Sequence, residues 1–167
     1  MEERMPHHSI RLPRRKRIAL IAHDDRKSDL LEWAEYNKDL LSRHELVATG
    51  TTGTILKHQL GLEVKALLSG PLGGDQQIGS EIAIGEIDVL IFFWDPLESH
   101  PHDPDVRALL RVAVLQNIPV AMNRSTADFL FSSPLIEGEY ARQTYDYAER
   151  LRRKRTLEHG PDDANLR

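Results

Sequence analysis

Ile87-Asp88-Val89-Leu90-Ile91-Phe92-Phe93-Trp94 is apolar at every position except Asp88. A strand with one solvated face alternates apolar and polar side chains, so a run without alternation reads as a strand buried on both faces. Such strands belong to parallel sheets covered by helices on each side and joined by right-handed crossovers. Shorter apolar runs at 17–22, 44–49, 63–68 and 118–122 read as companion strands, and helical patterns at 26–42, 53–60, 75–84 and 104–116 fall between them. This βα repetition predicts an α/β fold: a three-layer, doubly wound, mainly parallel five-stranded sheet.

The helix over 104–116 has the clearest period, with Val106, Leu109, Leu110, Ala113 and Val114 on one face, Asp103 as its cap and Pro104 as its first residue. Ser125-Thr126-Ala127-Asp128 reads as a further helix start before Phe129 and Leu130, and a charged helix is expected over 139–155. Residues 1–16, with Pro6, Pro13 and the start of the basic run Arg14-Arg15-Lys16-Arg17, have no apolar period and read as a flexible basic N-terminal arm. Residues 17–155 then form a single α/β domain, and 156–167 a flexible tail, frayed after Glu158.

The chain of 167 residues has no cysteine, which excludes disulfides, zinc–thiolate sites and cysteine nucleophiles. A formal net charge of −4 argues against a surface built to neutralise nucleic-acid phosphates. The apolar stretch Ile18 to Ala22 is too short for a signal-peptide core or a membrane span. A cytoplasmic protein that binds neither nucleic acid nor membrane is expected.

In open α/β sheets, ligands bind beyond the carboxyl ends of the strands. Here those ends run into His23-Asp24-Asp25, Thr49-Gly50-Thr51-Thr52-Gly53, Ser69-Gly70-Pro71-Leu72-Gly73-Gly74-Asp75 and Trp94-Asp95-Pro96, followed by His100-Pro101-His102-Asp103-Pro104-Asp105. The Thr-Gly-Thr-Thr-Gly turn opens a helix, so main-chain N–H groups and three hydroxyls can cradle a phosphate; the competing reading is a turn with an ordinary threonine cap. The glycine-rich turn lacks the Lys-Ser/Thr of a P-loop and the spacing of a dinucleotide fingerprint, which favours a smaller phosphate ester. Lys27, four residues after His23, can add a point charge, unless it is simply solvated.

Asp24, Asp75, Asp95 and Asp105 are candidates for one rim, where crowding and partial burial would raise at least one carboxyl pKa toward the range of a general base; helix capping is the competing role. The histidine-rich stretch also invites a metal reading, with His23, His100, His102, Asp103 and Asp105 as ligands. Pro101 and Pro104 punctuate the segment and no compact zinc spacing appears, so no metal is assigned.

Ala22-His23-Asp24, Ala48 through Gly53, Ser69 through Gln77, Phe92 through Leu97 and Pro101-His102-Asp103-Pro104-Asp105-Val106 occur in one order and spacing. Together they resemble the methylglyoxal synthase family over about 17–131, and more weakly to about 153. The resemblance implies a flavodoxin-like fold and a lyase that converts dihydroxyacetone phosphate to methylglyoxal and inorganic phosphate without a cofactor. It implies Asp75 as the base, with His23, His102 and Asp105 organising charge around the carbonyl. Lys27, Thr49, Thr51, Thr52, Ser69 and Gly70, joined by His23 and His102, correspond to the substrate- and phosphate-binding set. Asp24 and Asp95 match supporting positions. The family further implies a homohexamer, inhibition by inorganic phosphate, and an arginine near the C-terminus reaching a neighbouring site, for which Arg150 is the local match.

Three alternatives stand beside this reading. One is a non-catalytic allosteric ligand-binding domain of the same fold, resembling the regulatory domain of carbamoyl phosphate synthetase. A phosphorelay receiver would need a phosphoacceptor aspartate where Ser69-Gly70 ends the third strand, and a lysine where Asn123-Arg124 follows the fifth. Isomerisation of the same triose phosphate shares the proton abstraction but keeps the phosphate.

Overall fold

The computed structural model describes residues 7–159. Five parallel strands, β2 (Arg17–Ala22), β3 (Glu45–Ala48), β4 (Val64–Ala66), β5 (Val89–Phe93) and β6 (Val120–Ala121), form one sheet in the order β4-β3-β2-β5-β6. The central pair runs in register from Ile18 opposite Val89 to Ala22 opposite Phe93.

Alternate residues of these two strands face opposite layers, which is why neither shows a polar face. Ile18, Leu20, Val89 and Ile91 pack with Leu30 and Trp33 of α1 (Lys27–Tyr36), Leu56 of α3 (Gly50–Leu60), and Ala127 and Phe131 of α6 (Arg124–Ser132). Ala19, Ile21, Leu90 and Phe92 pack with Ile78 and Ile82 of α4 (Gly74–Ala83), and with Val106, Leu109 and Ala113 of α5 (Asp103–Leu115). The three-layer, doubly wound expectation holds. At the amino ends of the central strands, buried Asp88 accepts hydrogen bonds from Arg17 N at 2.8 Å and from Arg17 Nε at 3.1 Å, which ties β2 to the segment entering β5.

Several local expectations are corrected. The helix read over 26–42 is two helices, α1 and the short α2 (Lys38–Leu41), broken at Asn37, whose Nδ2 donates to Trp33 O at 2.9 Å. The helix read from 53 begins at Gly50, inside the threonine turn. Asp103 and Pro104 are the first two residues of α5 and His102 takes the cap position. Asn123, not Ser125, caps α6, its side chain accepting from Thr126 N at 3.0 Å.

The larger corrections lie at the flanks. Residues 7–12, read as part of a mobile arm, form β1 (His7–Leu12), which pairs antiparallel with β7 (Tyr140–Tyr145) from His7 opposite Tyr145 to Leu12 opposite Tyr140. Lys16, also assigned to the arm, is buried, and its Nζ donates to Pro13 O at 2.6 Å and to Gly138 O. The helix expected over 139–155 is therefore strand β7 followed by α7 (Tyr147–His159), so helix continues past the expected start of the tail at 156. Residues 1–6 and 160–167, including most of the expected tail, lie outside the described residues.

Candidate active site

A cleft of about 270 Å³ opens at the carboxyl ends of β2, β3 and β4, closed on the far side by the loop entering α5. His23 lines it because β2 continues one residue past its last pair: His23 N donates to Phe93 O at 3.1 Å. The ring is 4 % exposed, and its Nδ1 accepts from Asp95 N at 3.1 Å. An acceptor at Nδ1 places the neutral ring's proton on Nε2. Burial, followed by the neighbouring His100 and His102, lowers the His23 pKa to about 4, so the ring is neutral at physiological pH. Its Nε2 is buried with no partner among the described residues.

Asp75 stands in the first turn of α4 and is 0 % exposed. Two glycines put it there: Gly73 has φ 106°, and a Cβ on Gly74 would lie 2.0 Å from Leu68 O. Asp75 Oδ2 lies 2.6 Å from His102 Nδ1, while Oδ1 is buried without a partner among the described residues. Burial raises the carboxyl pKa, His102 partly offsets this, and the charge of Asp105 adds to the rise. Gly70 passes directly over the pair, where a Cβ would come within 2.8 Å of His102 Cε1.

Thr49, Thr51 and Thr52 line the opposite wall, at the N-terminus of α3, where helical N–H groups and the helix dipole favour an anion. Thr52 is buried and its Oγ1 has no partner among the described residues. Ser69 and Gly70 lie beside this turn because Gly50 lets the two loops meet; a Cβ there would fall 2.8 Å from Ser69 N. Lys27 and Asp24 also line the cleft and pair with each other at 2.5 Å. This pairing holds the Asp24 carboxyl below the usual range, so of the four expected rim aspartates only Asp75 combines cleft access with a raised pKa.

Three sequence candidates stand apart from the lining. Asp105 accepts from Gln76 Nε2 at 2.9 Å and reaches the site through its charge on Asp75. Asp95 is buried and serves by its main chain, with its carboxylate accepting from Leu97 N at 3.0 Å. Arg150 is exposed on α7 and does not line its own chain's cleft. One residue considered in sequence only as a metal ligand, His100, lines the cleft and stacks on His23 with ring centroids 3.8 Å apart.

A ring nitrogen of each of His23, His100 and His102 lies within 4.8 Å of the other two, which is close to a metal-binding arrangement. The hydrogen bond into His23 Nδ1 opposes it, because the lone pair left on that ring is already used and Nε2 carries a proton. The arrangement is suited to donating hydrogen bonds to an oxygen.

A family model described as MGS-like domain matches residues 29–122. The methylglyoxal synthase of Saccharophagus degradans is 60 % identical over 136 residues, covering 81 % of this chain and 88 % of the relative. That of Vibrio parahaemolyticus is 56 % identical over 144 residues, covering 84 % and 95 % respectively. The crystal structure of methylglyoxal synthase from Elizabethkingia anophelis superposes with a TM-score of 0.82 at 51 % identity, covering 86 % of this chain and 95 % of that one.

Proposed function

We infer the reaction from one premise: the chain belongs to the methylglyoxal synthase family. It is a carbon–oxygen lyase that converts dihydroxyacetone phosphate to methylglyoxal and inorganic phosphate. The observation that carries the assignment of roles is a buried carboxylate, Asp75, sharing one cleft with the hydroxyl-lined N-terminus of α3.

In this reading the threonine turn, Ser69, Gly70 and Lys27 hold the phosphate, and the ketone oxygen lies toward His23, whose Nε2–H donates to it. Asp75 removes a proton from the hydroxymethyl carbon, and the C–H electrons form the C=C bond of an enediolate stabilised by His23 and His102. With the C–O(phosphate) bond held perpendicular to the enediolate plane, the π electrons expel phosphate as that bond breaks. The hydroxyl proton leaves through the Asp75–His102 pair, and the enol so formed takes a proton on its methylene carbon to give methylglyoxal. Atoms and charge balance without a redox partner, and no metal or organic cofactor is proposed. Asp105 tunes Asp75 through its charge, while Asp24 and Asp95 support Lys27 and His23.

The same premise supports a homohexamer inhibited by inorganic phosphate and acting in the cytoplasm. Arg150, exposed and outside its own cleft, supports a contribution across a subunit boundary. Among the described residues no helix is long and apolar enough to cross a membrane.

The test mixes purified protein with dihydroxyacetone phosphate, with and without chelator, and follows dicarbonyl and orthophosphate together. Equal release of both, unaffected by chelator, is expected. An untouched ester, or glyceraldehyde phosphate without orthophosphate, rejects the reading, the latter in favour of isomerisation.

A further inference from the structure

Outside the roles assigned above, His100 is the one cleft residue whose chemistry is unspent. It lies in the loop between β5 and α5, and its Nε2 is buried with no partner among the described residues. Buried polar atoms are almost always paired, so an unpaired one in a residue that lines a cleft points to a ligand as its partner. His23 Nε2 is in the same condition, and the two rings stack at 3.8 Å.

The sheet order says which part of a ligand these rings meet. β3 and β4, which carry the threonine turn and Ser69, lie on one side of β2, and β5, which leads to His100 and His102, lies on the other. A phosphate seated over the ends of β3 and β4 therefore directs the rest of its ester across His23 toward His100. Ring nitrogens within 4.8 Å of each other can both reach one oxygen at an ordinary distance of about 2.9 Å.

We propose that His100 is a substrate-contacting residue which, with His23, grips an oxygen at the unphosphorylated end of the triose, so that it selects for the carbonyl-bearing part of the ester rather than for phosphate. The proposal rests on the triose-phosphate reading of the cleft. It predicts a separation between two affinities: His100 acts on the ester and not on orthophosphate, whereas the threonine turn acts on both.

The experiment compares wild type, His100→Val, His100→Gln and Thr52→Val, each checked for an unchanged far-ultraviolet spectrum and a melting temperature no lower than that of wild type. For His100→Val the KM for dihydroxyacetone phosphate should rise about tenfold, as expected for one lost hydrogen bond in a dry site. Its inhibition constant for orthophosphate should stay within about twofold. His100→Gln, which keeps a donor, should recover most of the loss, and Thr52→Val should weaken both ligands together. A folded His100→Val with unchanged KM, or with ester and orthophosphate weakened equally, overturns the proposal. So does a KM difference that disappears when chelator is added to wild type, since the imidazoles would then be holding a cation. A wild type that leaves the ester intact rejects the reaction itself and this inference with it; an active wild type matched by His100→Val rejects this inference alone.

Discussion

His102 Nδ1 lies 2.6 Å from Asp75 Oδ2, between two buried side chains 27 positions apart in sequence. The contact engages one carboxylate oxygen and leaves Oδ1 without a partner among the described residues. A carboxylate held this way has a fixed orientation, one oxygen available for a proton, and a basicity raised by its dry surroundings.

Asp75→Asn is expected to lower kcat by about a thousandfold while leaving orthophosphate affinity within about twofold. The same change should raise the melting temperature at pH 7. The folded pKa of Asp75 is raised above its unfolded value, so the residue favours folding below the unfolded pKa, and that contribution is lost as pH rises through the folded pKa. Above the unfolded pKa the wild type therefore carries a burial penalty that asparagine does not. Steady-state kinetics and thermal melts check both parts; a folded Asn variant with near-normal turnover removes Asp75 from its role.

The acid limb of kcat/KM should follow Asp75 and lie above the ordinary carboxylate range of about 4. Stability should show a separate effect from His23, whose pKa falls from 6.5 unfolded to about 4 folded. The unfolded chain binds the extra proton in that window, so stability declines as pH falls from 6.5 toward 4. His44, also lowered by burial, adds a decline of the same sign. Melts of His23→Gln across this range should show a shallower slope than wild type, and an equal slope would contradict the assignment.

Gly70→Ala places a methyl group 2.8 Å from His102 Cε1 and 3.3 Å from Asp75 Oδ2. The imidazole must move, and the pair loses its alignment. We expect kcat to fall by about a hundredfold, as for small misplacements of reacting groups, with a smaller change in KM. The kcat-to-KM split is the readout, and a variant with unchanged kcat shows that the pair tolerates displacement.

Thr52→Val removes a buried hydroxyl that has no partner among the described residues. An unpaired buried hydroxyl destabilises the fold, so the valine variant should melt at the same temperature or higher. Its KM should rise about tenfold if the hydroxyl is reserved for phosphate. Loss of stability together with unchanged KM would point to a structural role instead.

The parallel sheet was legible in sequence because β2 and β5 are buried on both faces, and their apolar runs leave no polar period to confuse the reading. The ribbon was not legible. In β7 the buried residues are Arg142 and Thr144, with Arg142 Nη1 donating to Gln116 O, so its inward face carries no apolar alternation. β1 is exposed except at Leu12 and exists through a partner far along the chain, which no local pattern encodes. The break at Asn37 likewise has no glycine or proline to announce it.

At the cleft, the threonine turn was readable because small and hydroxyl residues at a helix start have a direct physical use. Spacing alone could not show that Asp75 meets His102, that Asp105 turns to Gln76, or that Asp95 acts through its main-chain N–H. The first two depend on how α4 and α5 pack, and the third on the pairing of β2 with β5. His100 was visible as a histidine two residues from His102, but its stacking on His23 appears only when the loop after β5 is folded over β2.

The pairing of β1 with β7 sets an order for synthesis on the ribosome. Every strand of the parallel sheet has been synthesised once residue 121 is made, whereas His7 must wait for Tyr145. The nascent chain can therefore fold its reactive centre first and tie off its amino end last, so premature termination between these points releases a polypeptide with an unmated β-strand edge.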